Sequence, residues 1–166
     1  MISGEQGTMG NDSIKRAAEE YLAERLTEEG LTCEQKLNRE VANAQGPAVW
    51  KHLVETVTAM CDEWNFVTKD PTLTCKETVL GDLRIRCAGR ATHQIIVHYE
   101  PKRRLVRVEN TARLDHEPKV VLSIEGYATG SGRSARLMRN NEPVNVEMLM
   151  LGQIRVLAGL SRRGNY

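Results

Sequence analysis

From residue 13 to residue 66 apolar side chains recur every three or four positions, and from residue 73 to residue 127 they recur every second one. The first spacing is that of helices, the second that of half-buried strands. Ile14, Ala17, Ala18, Tyr21, Leu22 and Leu26 predict a helix that starts near Asp12 or Ser13 and closes at Gly30. Thr32 with Gln35 reads as a capping box and opens a short second helix through Leu37 and Val41. Gly46-Pro47 reads as the start of a third, since proline at the first helical position gives up no hydrogen bond. Trp50, Leu53, Val54, Val57, Met60, Cys61 and Trp64 then line one stripe over four turns, which makes both tryptophans core anchors.

In the alternating region Leu73, Cys75, Glu77 and Val79 share one strand face, and Leu83, Ile85 and Cys87 share the next. A three-residue loop Leu80-Gly81-Asp82 keeps these faces together by setting Val79 opposite Leu83, Glu77 opposite Ile85 and Cys75 opposite Cys87. Residues 92–99 and 104–110 form a second hairpin around Glu100-Pro101-Lys102-Arg103, with Pro101 at the second position of a type I turn. That turn sets Ile95 opposite Val108 and Val97 opposite Val106 on the core face. It leaves Gln94 with Glu109, Ile96 with Arg107 and His98 with Leu105 on the other. Residues 119–127 are a fifth strand with Val120, Leu122 and Ile124 facing in, and residues 135–139 a short sixth.

A last helix is expected from Pro143 to about Leu160. Val146, Leu149, Met150, Ile154, Leu157 and Leu160 form its stripe, widened by Met148, Leu151 and Val156. A helix apolar over so much of its surface is usually central, so it should lie across the sheet. The order therefore predicts an α+β fold: N-terminal helices, an antiparallel meander of five or six strands, and a C-terminal helix packed on the sheet. Residues 1–12 are read as a disordered segment and 13–166 as a single domain, helical over about 13–66 and sheet plus helix over about 72–161.

Composition narrows the class. No apolar run reaches the roughly 20 residues that cross a bilayer, and the first residues lack the cationic and apolar stretches of a signal peptide. Cys33, Cys61, Cys75 and Cys87 show no CxxC spacing, so they read as reduced thiols in a cytoplasmic protein without a membrane partner. Residues 1–72 carry 7 Lys+Arg against 13 Asp+Glu, whereas residues 73–166 carry 16 against 9. An acidic helical layer over a basic sheet accounts for that division without a polyanion.

Candidate chemistry is sparse. The stretch Gly126-Tyr-Ala-Thr-Gly130-Ser131-Gly132-Arg133-Ser134 could present backbone N–H groups and donors to an anion, but it lacks the ending of a P-loop and reads more simply as a flexible turn between two strands. Arg84, Arg86 and Arg107 could add a cationic sheet face spaced for phosphates, although no aromatic residues stand among them to stack bases. His93 and His98 are five apart on one strand, point to opposite faces and share no ion, and with His52 and His116 scattered no metal site is expected. Glu77 is the one acid on an apolar strand face, where desolvation would suit it to general acid or base work. Ile96, Leu105 and Val121 mark an apolar patch on the outer sheet face.

No catalytic constellation or cofactor motif emerges. The expectation is a non-catalytic interaction module that binds a protein partner or a second copy of itself. Two other classes stay open: a nucleic-acid or other polyanion binder on the basic sheet face, and a small-ligand or enzyme pocket between the sheet and the C-terminal helix.

Overall fold

The structure is a computed structural model that describes residues 9–69, 72–89, 92–112 and 119–159, backbone only at 9–10 and 27–29. Contacts divide the chain into two compact units that meet in sequence between Leu37 and Asn38. In the first, α1 (Met9–Glu29) closes where the Gly30 N–H bonds to Leu26 O at 2.9 Å. Its Ile14, Tyr21, Leu22 and Leu26 are exposed. Residues 9–12 are helical where disorder was expected, and residues 1–8 lie outside the described residues. The capping box forms as the sequence implies: Thr32 N–H donates to Gln35 Oε1 (2.8 Å) and Gln35 N–H to Thr32 Oγ1 (3.2 Å).

That box opens one helix where two were expected. α2 (Cys33–Thr68) is 36 residues long, with Pro47 inside it. The proline forfeits the bond its N–H would give Asn43 O, a loss of about 3 kcal/mol in an isolated helix. Ala42 and Gly46 before it and Leu53, Val57 and Cys61 after it are all buried along one stripe, and that burial holds both halves in line. Gly46 is not a helix boundary but a close approach: a Cβ there would stand 2.6 Å from Tyr99 Oη. Trp50, one turn on, stacks on the Tyr99 ring (centroids 5.7 Å apart, planes 18°).

Seven antiparallel strands follow in a meander, each paired with its sequence neighbours: β1 (Leu73–Glu77), β2 (Leu83–Cys87), β3 (Gln94–Glu100), β4 (Leu105–Asn110), β5 (Lys119–Thr129), β6 (Gly132–Arg139) and β7 (Glu142–Pro143). The count exceeds the expected five or six because β7 is a two-residue strand after Asn140-Asn141, which take φ of 52° and 63° as a two-residue hairpin turn requires. Pro143 thus ends the sheet instead of starting a helix. α3 (Val146–Leu157) is capped by Asn145, whose side chain accepts from Met148 N–H at 3.1 Å.

Both expected hairpin registers differ from the observed ones by two residues. Glu77 pairs with Leu83, not Ile85, and Cys75 with Ile85, not Cys87, while Val79 leaves the sheet and is exposed. The connection spans residues 78–82, and Gly81 takes φ 87°. In the second hairpin Ile95 meets Asn110, Val97 meets Val108, Ile96 meets Glu109 and His98 meets Arg107. Its loop is residues 101–104, closed by Arg104 N–H to Pro101 O (3.3 Å) with Arg104 at φ 55°. A slip of two leaves each side chain on its expected face, so Ile85, Ile95, Val97, Val106, Leu122 and Ile124 are all buried under the helices.

α2 also closes both edges of the sheet. Thr72 and Thr78 make the β1–β2 bonds at either end (2.7 Å each), so Leu73, alternate to them, turns its N–H and C=O to the open side. There the Asn65 amide takes both: Nδ2 donates to Leu73 O (2.8 Å) and Oδ1 accepts from Leu73 N–H (2.9 Å). On the far edge, beyond the reach of β7, Gln45 Oε1 accepts from Ala135 N–H (2.9 Å) and its Nε2 donates to Arg133 O (3.5 Å). Twenty residues of helix, about 30 Å, separate these amides. Five strand spacings measure about 24 Å, so α2 crosses the sheet diagonally from rim to rim.

α3 covers the rest of that face. Met150, Ile154 and Leu157 are fully buried, and Gln153 with them. Asn110 Nδ2 donates to Gln153 O and Oε1 (3.0 Å each) and Asn110 Oδ1 accepts from Ala112 N–H (3.0 Å), so this buried polar pair is satisfied. Met148 and Leu151, read as widening the stripe, are exposed at 68% and 40%.

Candidate functional site

Met150, Ile154 and Leu157 pack on the sheet face under α3, and two grooves open along the outer flank of α2. One groove of about 850 Å³ runs between α2 and α3, floored by Ala59, Met60, Trp64, Val67 and Leu151. A second, of about 660 Å³, continues along α2 toward β6 and residues 144–147, past Gln45, Ala48 and Val49. His52, Thr56 and Glu147 line both, so the two make one trough. It follows α2 from Gln45 to Thr68, about 35 Å of helix.

The trough is built by residue spacing. Thr56, Ala59, Met60, Glu63 and Val67 recur at helical intervals on the flank beside the buried stripe, so α2 offers a second face. Val67 is 68% exposed, and Leu151 on α3 shows an apolar side chain across from it. Glu55, Glu63 and Glu147 stand along the rim, and among the described residues neither lysine nor arginine lines the α2–α3 groove. The arrangement is an apolar floor under a negative rim. Sequence reasoning missed it: the strong buried stripe drew the assignment, although Glu55 and Glu63, two turns apart, marked the edge of another face.

The sequence-derived candidates sit elsewhere and fall into separate groups. Arg84, Arg86 and Arg107 lie with Ile96, Leu105 and Val121 on the sheet face opposite α2. Arg107 pairs with Glu100 at 3.3 Å, Lys119 with Glu109 at 3.4 Å, and His98 Nδ1 with the Asp82 carboxylate. Val121 is half exposed, whereas Ile96 and Leu105 are partly covered. The Nε of Arg84 is buried without a hydrogen-bond partner among the described residues.

Gly130 and Ser131 form the two-residue turn between β5 and β6, with Gly132 opposite Thr129 at its base. They are exposed at the corner of the sheet away from Arg84 and Arg86. Arg133 turns to the helix side, where its Nη1 donates to Asn38 Oδ1. Ser134 lies opposite Tyr127, whose ring carries Arg136 at 4.0 Å. Glu77 is exposed, so the desolvation that would have suited it to proton transfer is absent. His116 falls outside the described residues. Among the described residues no three His, Cys, Asp or Glu side chains gather as metal ligands, and no helix is long and apolar enough to cross a membrane.

Set against known protein families, curated proteins and solved structures, the chain matches none.

Proposed function

We propose that this protein is a non-catalytic interaction module whose α2–α3 trough takes a cationic amphipathic helix of a protein partner. One observation carries the reading: the trough joins an apolar floor (Met60, Trp64, Val67, Leu151) to a rim of Glu55, Glu63 and Glu147, with neither lysine nor arginine among the described residues that line that stretch. A helix laid in a groove buries one apolar stripe and sets its flanking charges against the rim. Lysines or arginines beside the stripe complement this rim, and acidic flanks, such as those of a second copy of α1 or α2, are repelled by it. The floor supplies the affinity and the carboxylates the orientation and the association rate.

The test uses the full chain and a fluorescent synthetic helix of leucine and lysine with leucines at i, i+3, i+4 and i+7. Anisotropy should show saturable binding, weakened about tenfold or more by Glu55→Lys with Glu63→Lys and by Leu151→Asp. A scrambled peptide of the same composition should bind poorly. Equal binding of the scrambled peptide overturns the proposal, as does a charge-reversed variant that binds unchanged. Sedimentation showing a dimer held together through Val67 and Leu151 would replace the partner helix with a second copy and likewise overturn it.

A further inference from the structure

Under the C-terminal half of α2 the helix and the first strand bring two thiols together. Cys61 on α2 is 2% exposed, and Cys75 on β1, which is half-buried, packs against the same buried cluster. Thr58, one turn before Cys61 on the same helix face, places its Oγ1 3.8 Å from Cys75 Sγ. The pairing is held in register by the Asn65 amide on Leu73, two residues before Cys75, and by Trp64 Nε1–H donating to Thr72 Oγ1 at 3.1 Å. Cys33 and Cys87 stand apart: the first is exposed, and the second is buried with its Sγ on Ala88 O at 3.6 Å.

We propose that Cys61 and Cys75 form a peroxide-reactive dithiol site, with Cys75 the attacking sulfur and Cys61 the resolving one. The division of labour follows from access, since Cys75 can be reached and Cys61 is enclosed. It follows also from acidity. The neighbouring Cys61 thiol holds the Cys75 thiol down at about 7 against an ordinary 9.0. Burial opposes that shift. Thr58 assists it: its hydroxyl, which donates to Val54 O at 2.8 Å, can turn to the sulfur when that sulfur is anionic. The charged groups facing the pair are Asp62 on α2 and Glu77 on β1, and both disfavour the thiolate. Proximity to Cys75, together with burial, pushes the Cys61 thiol up, so it keeps its proton until the second step.

In the first step the Cys75 thiolate attacks one oxygen of a hydroperoxide, forming an S–O bond and breaking the O–O bond. The leaving alkoxide or hydroxide takes up a proton as alcohol or water, and Cys75 becomes a sulfenic acid. In the second, Cys61 sulfur attacks Cys75 sulfur, displacing the hydroxyl, which leaves as water with the Cys61 proton. The two thiols lose two electrons together and the peroxide gains them. The product is a disulfide between α2 and β1.

The full chain carrying Cys33→Ser, which removes the exposed thiol, is treated with one equivalent of hydrogen peroxide and mapped by peptide mass spectrometry. The expected result is a Cys61–Cys75 linked peptide lighter by two hydrogens, absent in Cys75→Ser. In Cys61→Ser, which keeps a hydrogen-bond donor beside Cys75 but cannot form the disulfide, dimedone should label the Cys75 sulfenic acid. Because a buried substitution can disturb folding, the unsubstituted chain supplies a separate readout: the rate of Cys75 alkylation by iodoacetamide against pH. A midpoint near 7 supports the proposal, and one near 9.0 overturns it. In the unsubstituted chain, recovery of Cys61 and Cys75 both reduced under peroxide that oxidises Cys33 overturns it as well.

Discussion

Gly126 on β5 faces the backbone of α2 at Asn38, and a Cβ there would stand 2.4 Å from Asn38 O and 2.8 Å from its Cα. Neither atom can yield without moving the helix, so the residue sets how closely helix and sheet approach. Gly126→Ala should cost about 1–3 kcal/mol, the usual penalty of overpacking a tight interior. Gly130→Ala, four residues on with nothing within 4 Å of its Cβ position, should be near neutral. Urea unfolding of the two variants checks the contrast, and equal midpoints would sink it. Gly126 shows where residue reading reaches its limit. In the sequence it belongs to a glycine-rich stretch that suggests anion binding, yet one glycine of that stretch serves a helix contact and another a turn. Which glycine does which depends on what lies above the strand, and local sequence does not carry that.

At the level of elements, face assignment was legible and register was not. Alternation placed Ile95, Val97, Val120, Leu122 and Ile124 correctly in the core, because every second side chain of a strand points the same way. In both hairpins a two-residue slip preserves that alternation, so the apolar pattern is blind to it. The choice falls to the turns, where Gly81 and Arg104 adopt left-handed φ values of 87° and 55°. Gly46-Pro47 misled for a related reason: a local start signal was outweighed by the continuous burial that carries α2 past it. Edge closure by side-chain amides was equally hidden, since nothing local distinguishes Asn65 from any exposed asparagine. Asn65→Ala should therefore cost more than a surface substitution, about 1–3 kcal/mol, as it strips two partners from a half-buried stretch of β1. Asn65→Gln, one methylene longer, should recover little of it. Urea melts of both variants decide, and an alanine variant as stable as the parent would remove the amide clip from the account.

Over the second unit as a whole, α2 and α3 cover one face of the sheet, and on the other Arg107, Lys119 and His98 pair with Glu100, Glu109 and Asp82. The trough arises from this economy of parts. Two helices cover seven strands, and where they diverge beside α2 an apolar flank is left that neither fills. The alternation and the helical stripes foretold the α+β plan and the C-terminal helix across the sheet. They could not foretell the trough, which belongs to no single element and appears only where α2, α3 and the end of β6 come together. The thiol pair is likewise a product of assembly, since Cys61 and Cys75 are fourteen positions apart and meet only because β1 turns back beneath the helix.

The rim-to-rim path of α2 makes distant parts of the sheet share a fate. Leu73 and Ala135 give their amide protons to one helix from opposite borders, so neither proton is freed by fraying of its own strand alone. In native-state deuterium labelling both should exchange through a common opening, that of α2, with closely matched protection. Widely different protection at the two amides would mean that the helix detaches one end at a time.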